Sequence, residues 1–371
     1  MPLYLTDDQA MLRDTARSFM AEEGAVAKQL RHWRDISCKD GFGHGLWKQF
    51  AELGFNGILI DEADGGLGLG HVEAGIVLEE IGRNLTPSPF LVSAIAFVEA
   101  LKGTAARERW YPGIIAGDTV AALALDEGPK HRPEGIEMRA ERSGNGFSLT
   151  GRKQFVVQGA SADVTLVAAQ TDEGLTLFAV EKGANGLDVE GVRLADSSIG
   201  ARLTFENVTV DADAVIGEVG GGAEILDRAL NAGRTGAAAE LVGVGSASME
   251  MTVDYLKQRK QFGKLIGEFQ ALQFRAAHLY SELEIARAAT LKAQQLLDEG
   301  SPDAEAMVSV AKAKAGRASQ LAVQEGVQMH GGIGMTDEYD IGLYMKRDRV
   351  LNELFGDANY HADKLARMKG Y

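Results

Sequence analysis

The sequence predicts a mostly α-helical protein with a central β domain, and three observations carry that prediction. Apolar residues recur at helical spacing behind helix-start signals up to about Asp118. Short β-like runs separated by turn residues then occupy Thr119 to about Gly217. Helical periodicity returns from about Gly221 and continues to the C-terminus. The expected division is an N-terminal helical domain over 1–118, a middle domain of antiparallel strands over 119–218 and a C-terminal four-helix bundle over 219–371. A chain of 371 residues exceeds what one hydrophobic core ordinarily supports, so several domains are expected on length alone.

In the first domain, Thr6-Asp7-Asp8-Gln9 is a capping box, in which the Thr hydroxyl and the Gln amide satisfy each other's backbone donors. Met11, Leu12, Ala16 and Phe19 come next at helical spacing. A second helix carries Leu46, Phe50 and Leu53 and stops at Gly54. The loop Asp61-Glu62-Ala63-Asp64-Gly65-Gly66-Leu67-Gly68 precedes a helix through Val77, Leu78 and Ile81, and Pro87 and Pro89 punctuate the entry to the next helix. That loop is glycine-rich but lacks the strand–loop–helix setting of a dinucleotide fingerprint, so it is not read as a phosphate loop. In the middle domain, strands are expected over 120–125, 136–142, 147–150, 155–157, 164–168, 176–180 and 203–210. Asn145-Gly146 between two of them signals a type I′ hairpin. Strands so closely spaced imply a small antiparallel barrel or sandwich. In the last domain, Leu272, Ala276, Leu279, Leu283 and Ala286 form one stripe. Ser301-Pro302 restarts the chain as a cap and first helical residue, and Met307, Val310, Ala311, Ala315, Leu321 and Ala322 continue a small-residue face. Such helices suit a bundle that also packs against copies of itself.

Composition narrows the function. A net charge of -15 argues against nucleic acid or an anionic membrane as a partner. The single cysteine, Cys38, excludes an internal disulfide framework and a cysteine-based zinc site. Seven histidines without carboxylates at ligand spacing give no metal site. No apolar stretch approaches the ~20 residues that span a bilayer, and MPLYLTDDQA has no signal-peptide pattern. A soluble, cytoplasmic protein is expected.

One stretch stands against this acidic background. Arg259, Lys260 and Lys264 gather three cations around the Phe262-Gly263 break between two helices, with a helix start expected at Phe269. Charge alone leaves two readings open, a solvated corner or an anion site fed by helix N–H groups. The spelling is more specific. Gln258-Arg259-x-x-Phe262-Gly263, then Ile266-x-x-Phe269-Gln270-x-x-Gln273, and later Gln328-x-x-Gly331-Gly332-x-Gly334, closely resemble the signature of the acyl-CoA dehydrogenase family. Trp47, Leu53-Gly54 and Glu62-x-x-Gly65-Gly66-x-Gly68 are similar to its N-terminal domain, so the resemblance extends over nearly the whole chain.

The resemblance implies the family's fold, with a middle antiparallel β-barrel covering a flavin ring. It also implies FAD as cofactor and an acyl-CoA thioester as substrate. In such enzymes a carboxylate takes a proton from the carbon next to the thioester, and a hydride leaves the following carbon for the flavin. By that likeness Arg259 meets the pyrophosphate of FAD held mainly by a neighbouring subunit, because Arg forks onto phosphate. Gln261, Phe262, Gln328, Gly331 and Gly332 border its nucleotide portion. Phe155, Val156 and Val157 stand where the family's Trp-x-Thr faces the flavin, and Asp126-Glu127-Gly128-Pro129 replaces its Thr-Glu-Pro-Gly. Asp357 and Asn359 occupy a C-terminal FAD contact.

The family's proton acceptor is a Glu, at one of two places. In this chain those places hold Phe355 and Gly233, and neither accepts a proton. Glu353, about 200° around a helix from Phe355, Glu240 and Asp357 are the carboxylates that could serve as an intrinsic base instead. Asp357 is read as a helix cap or cofactor contact, and His330 as a structural neighbour of the cofactor loop. Missing base and intact nucleotide motifs together resemble the small subunits of two-component acyl-CoA dehydrogenases, such as pimeloyl-CoA dehydrogenase, in which a large subunit carries the Glu. The expected assembly is a homotetramer or a heterotetramer with a Glu-bearing subunit, and electron-transfer flavoprotein is the expected acceptor. The alternatives are a self-sufficient homotetramer with a relocated base, a flavin monooxygenase on the same fold, and a non-enzymatic scaffold.

Overall fold

The computed structural model describes residues 3–371. Helices come first: α1 (Asp7–Glu22), α2 (His32–Asp35), α3 (His44–Glu52), α4 (His71–Asn84), α5 (Val98–Leu101) and α6 (Arg107–Ile115). Eight strands come next: β1 (Ala121–Ala124), β2 (Arg139–Ser143), β3 (Gly146–Val157), β4 (Val164–Thr171), β5 (Gly174–Glu181), β6 (Leu187–Arg193), β7 (Ile199–Val210) and β8 (Val215–Ile216). Then come α7 (Gly222–Gln258), the hairpin β9 (Lys260–Gln261) and β10 (Lys264–Leu265), α8 (Gln270–Asp298), α9 (Ala304–His330), α10 (Ile341–Glu353) and α11 (Ala358–Met368). Contacts divide the chain into two compact units. One takes the chain up to Arg31, His71–Thr86 and Arg234–Tyr371; the other takes His32–Gly70 and Pro87–Gly233.

The first unit is helical. Its α1 begins with the expected capping box: Thr6 Oγ accepts from Gln9 N–H, and the Gln9 side chain accepts from Thr6 N–H. The buried stripe of α1 ends on Ala16 and Met20, whereas Met11 is exposed. α4 and α7 approach so closely that a methyl on Gly243 would land on the Glu79 carbonyl, and one on Gly82 on the Glu240 carbonyl. Only glycine lets two backbones meet at that distance. α8 and α9 follow the predicted stripes, with Leu279, Leu283 and Ala286 buried on one and Ala311, Ala315 and Ala322 on the other. α9 starts later than expected. Its N-cap is Asp303, while the Ser301 hydroxyl accepts from Asp303 N–H in the preceding turn.

The second unit holds the sheet, in the order β6-β7-β3-β2-β4-β5-β8, with β1 paired to β4. This corrects the expected antiparallel barrel in two ways. The sheet is open: a barrel needs its end strands to pair, but β8 has two residues and β6 is exposed along most of its length. It is also mixed. β1 runs parallel to β4 over Ala121–Ala124, and Arg139 of β2 pairs in parallel with Gln170 farther along the same strand. The two strands expected over 147–150 and 155–157 are one strand, β3, bent by irregularities after Leu149 and Lys153. β6 is an additional strand: its alternation over Leu187-Asp188-Val189-Glu190 is only four residues long before Gly191 and Val192 break it. The hairpin turn also shifts by one residue: Ser143 pairs with Gly146, so Gly144-Asn145 are its central residues. Gly144 has φ 59° and Asn145 does not take a positive value, which is the type II′ pattern. Phe147, Leu149, Val156, Phe178, Leu203 and Phe205 make the core on one face.

Candidate functional site

The basic break after α7 is a two-residue hairpin turn. Lys264 pairs with Gln261, and both central residues, Phe262 at φ 54° and Gly263 at φ 80°, lie in the left-handed region that a type I′ turn requires. For an aromatic residue that conformation costs about 1–2 kcal/mol. It holds the Phe262 ring outward, 92% exposed, in edge contact with Phe269, while the Lys264 ammonium lies 4.3 Å from the Phe269 ring centroid. Arg259 and Gln261 are exposed beside it, and Arg259 makes no ion pair among the described residues. Phe269 is the N-cap of α8, so the positive end of a 29-residue helix lies next to three cations.

The second motif meets the first through aromatic rings. Tyr255, whose carbonyl accepts from Arg259 N–H, stacks on His330 at 4.5 Å between centroids, and Tyr339 lies 4.8 Å from His330 on another side. His330 is the last residue of α9, two after the exposed Gln328 and directly before Gly331-Gly332. Its Nδ1 donates to the Gly326 carbonyl at 2.7 Å, leaving Nε2 as a buried acceptor without a partner. Burial lowers its pKa, which favours that neutral form. Over Gly331 and Gly332 the space is open: an added methyl would meet nothing within 4 Å. Exposed cations, a helix N-terminus and uncovered glycine backbone form a donor set that suits an anionic dinucleotide. The sequence does not single out the two tyrosines as site residues, since no spacing rule marks them.

The turn that carries Phe355 is held from three sides. Phe355 has φ 61° and is buried, and Gly356 is next at φ 102°. The Phe355 carbonyl accepts from Arg234 Nε at 3.2 Å and from His361 Nε2 at 3.1 Å. Lys312, fully buried, donates to the carbonyls of Leu351, Asn352 and Gly356 at 3.0, 3.2 and 2.9 Å. Burial brings the Lys312 pKa down to about 7, against the pull of Asp348. Asp348, buried beside it, is pushed up to about 6. Because the helix ends at Glu353, a helical wheel does not describe how Glu353 and Phe355 are related. Glu353 pairs with Arg349 at 2.8 Å, and Glu240, buried, pairs with Arg347 at 2.6 Å. Asp357 caps α11, accepting from Asn359 and Tyr360 N–H.

In the second unit, Phe155 sits at φ 52° in a bulge: Lys153 pairs with Leu203 and Val156 with Ala201, so Gln154 and Phe155 together oppose Arg202. Val156 and Val157 behind it are buried. Lys153 is fully buried and paired to Glu127 at 2.7 Å. Burial lowers its pKa although Glu127 opposes the shift. Gly233 lies within α7, directly before the buried Arg234. The glycine-rich loop is closed on itself: the N–H groups of Leu67, Gly68 and Leu69 donate to the carbonyls of Gly57, Ile60 and Ile58 respectively. Those donors are therefore not offered to a phosphate.

The comparisons with known proteins agree with one another. The N-terminal domain model of acyl-CoA dehydrogenase matches residues 6–118, and the C-terminal domain model matches residues 220–369. Mitochondrial isovaleryl-CoA dehydrogenase of Arabidopsis thaliana is 33% identical over 327 residues, covering 83% of this chain and 78% of its own. Cyclohex-1-ene-1-carbonyl-CoA dehydrogenase of Geobacter metallireducens is 31% identical over 376 residues, 96% of each chain. Among solved structures, a variant of the Tcur3481-Tcur3483 steroid ACAD superposes with a TM-score of 0.89 at 28% identity over 98% of each chain.

Proposed function

The chain belongs to the acyl-CoA dehydrogenase family, and we propose that it is a FAD-binding subunit whose proton acceptor comes from a partner chain. It is an oxidoreductase acting on a CH–CH pair, with an acyl-CoA thioester as substrate. Bound FAD supplies the two-electron acceptor for the hydride. Arg259 and the hairpin cations hold the pyrophosphate, Gln328 and Gly331-Gly332 border the nucleotide, and Phe155-Val156-Val157 form an apolar wall toward the ring. The exposed, strained Phe262 supports a hairpin that completes its surroundings only in an assembly.

What supports this reading is that, by the resemblance, Phe355 and Gly233 stand at the two family base positions. The three carboxylates that could stand in as an intrinsic base are engaged: Glu353 with Arg349, Glu240 with Arg347, and Asp357 as a helix cap. A heterotetramer with a Glu-bearing subunit and electron-transfer flavoprotein as acceptor complete the proposal. The paired designation of the steroid ACAD relative supports the two-chain form. The division at about residues 118 and 219 stands as part of the same reading, and the limits of the two family models support it.

The test is to purify the chain alone and measure bound FAD and acyl-CoA turnover with a ferricenium acceptor. FAD binding without turnover is expected, and substantial turnover by the chain alone overturns the need for a partner. A second arm uses Phe355→Glu, in a turn whose backbone is fixed by Arg234, His361 and Lys312. Turnover gained by that variant is the expected result.

A further inference from the structure

We propose that the buried Lys153–Glu127 ion pair is the positioning element of the apolar wall: it fixes the bulge at Gln154-Phe155 and so sets where Phe155-Val156-Val157 stand against a bound flavin. This rests on the reading that these three residues face the cofactor. It adds a role for two residues to which that reading gave none.

β2 pairs with β3 only as far as Thr150, so beyond it β7 is the one strand partner of β3 among the described residues. In place of β2, the segment after β1 lies alongside. The Gln154 N–H donates to the Asp126 carbonyl at 2.7 Å, and the Gln154 side chain donates to the Glu127 carbonyl at 3.1 Å. Two attachments at one residue do not by themselves hold a bulge, because the segment over 125–138 has few strand contacts of its own. Lys153 supplies the anchor. Its ammonium donates to the Leu125 carbonyl at 3.1 Å and to Glu127 Oε1 at 2.7 Å. The Glu127 carboxylate also accepts from Glu137 N–H at 2.8 Å and Met138 N–H at 3.0 Å. One charge pair thus joins the end of β1, the approach to β2 and the residue directly before the bulge.

The energetics point to geometry as what this pair contributes. A fully buried ammonium is costly to desolvate, and its attraction to a carboxylate about offsets that cost, so an apolar pair of similar volume often serves stability equally well. An apolar pair has no directional bonds, however, and would leave only the two Gln154 hydrogen bonds to define where Gln154 and Phe155 bulge. Phe155 holds a left-handed conformation, which persists only where its surroundings over-determine it.

The full-length chain is compared with Lys153→Met, Glu127→Gln and the double variant Lys153→Met with Glu127→Leu, measuring melting temperature, the flavin absorption band, and affinities for FAD and for ADP alone. ADP reports the nucleotide end and serves as an internal control for folding. The double variant is expected to melt near the wild type and keep its ADP affinity, while FAD affinity falls by about tenfold and the flavin band shifts. If Lys153→Met does not fold, Glu127→Gln, which keeps the side chain's shape, carries the same expectation. FAD and ADP affinities falling together with the melting temperature, or a double variant indistinguishable from the wild type, would overturn the proposal alone. A folded wild-type chain that binds neither FAD nor ADP would remove the functional reading with it.

Discussion

Lys312 shows how much one side chain decides here. It stands on α9 in step with Val308, Ala311 and Ala315, inside the apolar stripe, and its ammonium holds three carbonyls around the turn at Phe355. With its pKa brought down to about 7 by burial, the folded chain releases a proton that the unfolded chain keeps up to the ordinary lysine value of 10.5. The unfolded state binds more protons across that window, so stability from this group rises with pH between them and is lowest below about 7. The stability of the wild type relative to Lys312→Met should therefore improve from pH 7 to 10 in denaturant titrations; a difference independent of pH would show that the ammonium is not perturbed. Arg259 gives the complementary prediction at an exposed site. Arg259→Ala should weaken FAD retention by about 1.5–3 kcal/mol, the scale of a charged hydrogen bond, with the melting temperature unchanged. Equal flavin occupancy in variant and wild type after dialysis would remove Arg259 from the nucleotide site.

Among the elements, the α4–α7 contact and the β9–β10 hairpin represent opposite uses of the backbone. The contact depends on glycine at both crossing points. Gly243→Ala should force the helices apart and cost about 1–3 kcal/mol, as overpacking of a tight core does. A denaturant midpoint equal to that of the wild type would show that the helices adjust freely. Glu240 lies in this contact, buried and paired with Arg347. The hairpin carries strain instead of packing. Its tip residue Phe262 is held left-handed and outward with little to cover it in this chain. That is the expected form of an element whose partner surface lies on another molecule.

For the whole molecule, the proposed assembly predicts that the chain mixed with a Glu-bearing acyl-CoA dehydrogenase chain forms a heteromer with turnover that neither has alone, read by light scattering and a ferricenium assay. A mixture that stays separate and inactive would count against the two-chain reading. Much of the molecule is legible in the sequence: the capping box at Thr6, the helical stripes of α8 and α9, the central change to strands, and two motifs whose residues meet through Tyr255 and His330. Local rules reach these because caps, periodicity and motif spelling act within a few residues of chain. The same periodicity holds a subtler signal: Lys153 shares strand parity with the buried Phe147 and Leu149, and Lys312 shares helical phase with the core of α9. A charge on an inward position is informative only once its partner is known. Glu127 and the carbonyls of 351–356 lie 26 or more residues away in sequence. The open, mixed sheet is likewise beyond local rules, since strand neighbours are chosen by long-range pairing. Thus the order of helices and strands and the family motifs belong to the sequence. The clamped turn at Phe355 and the anchored bulge at Phe155 belong to the tertiary structure, because each is held by a buried charge whose partners only folding brings within hydrogen-bonding distance.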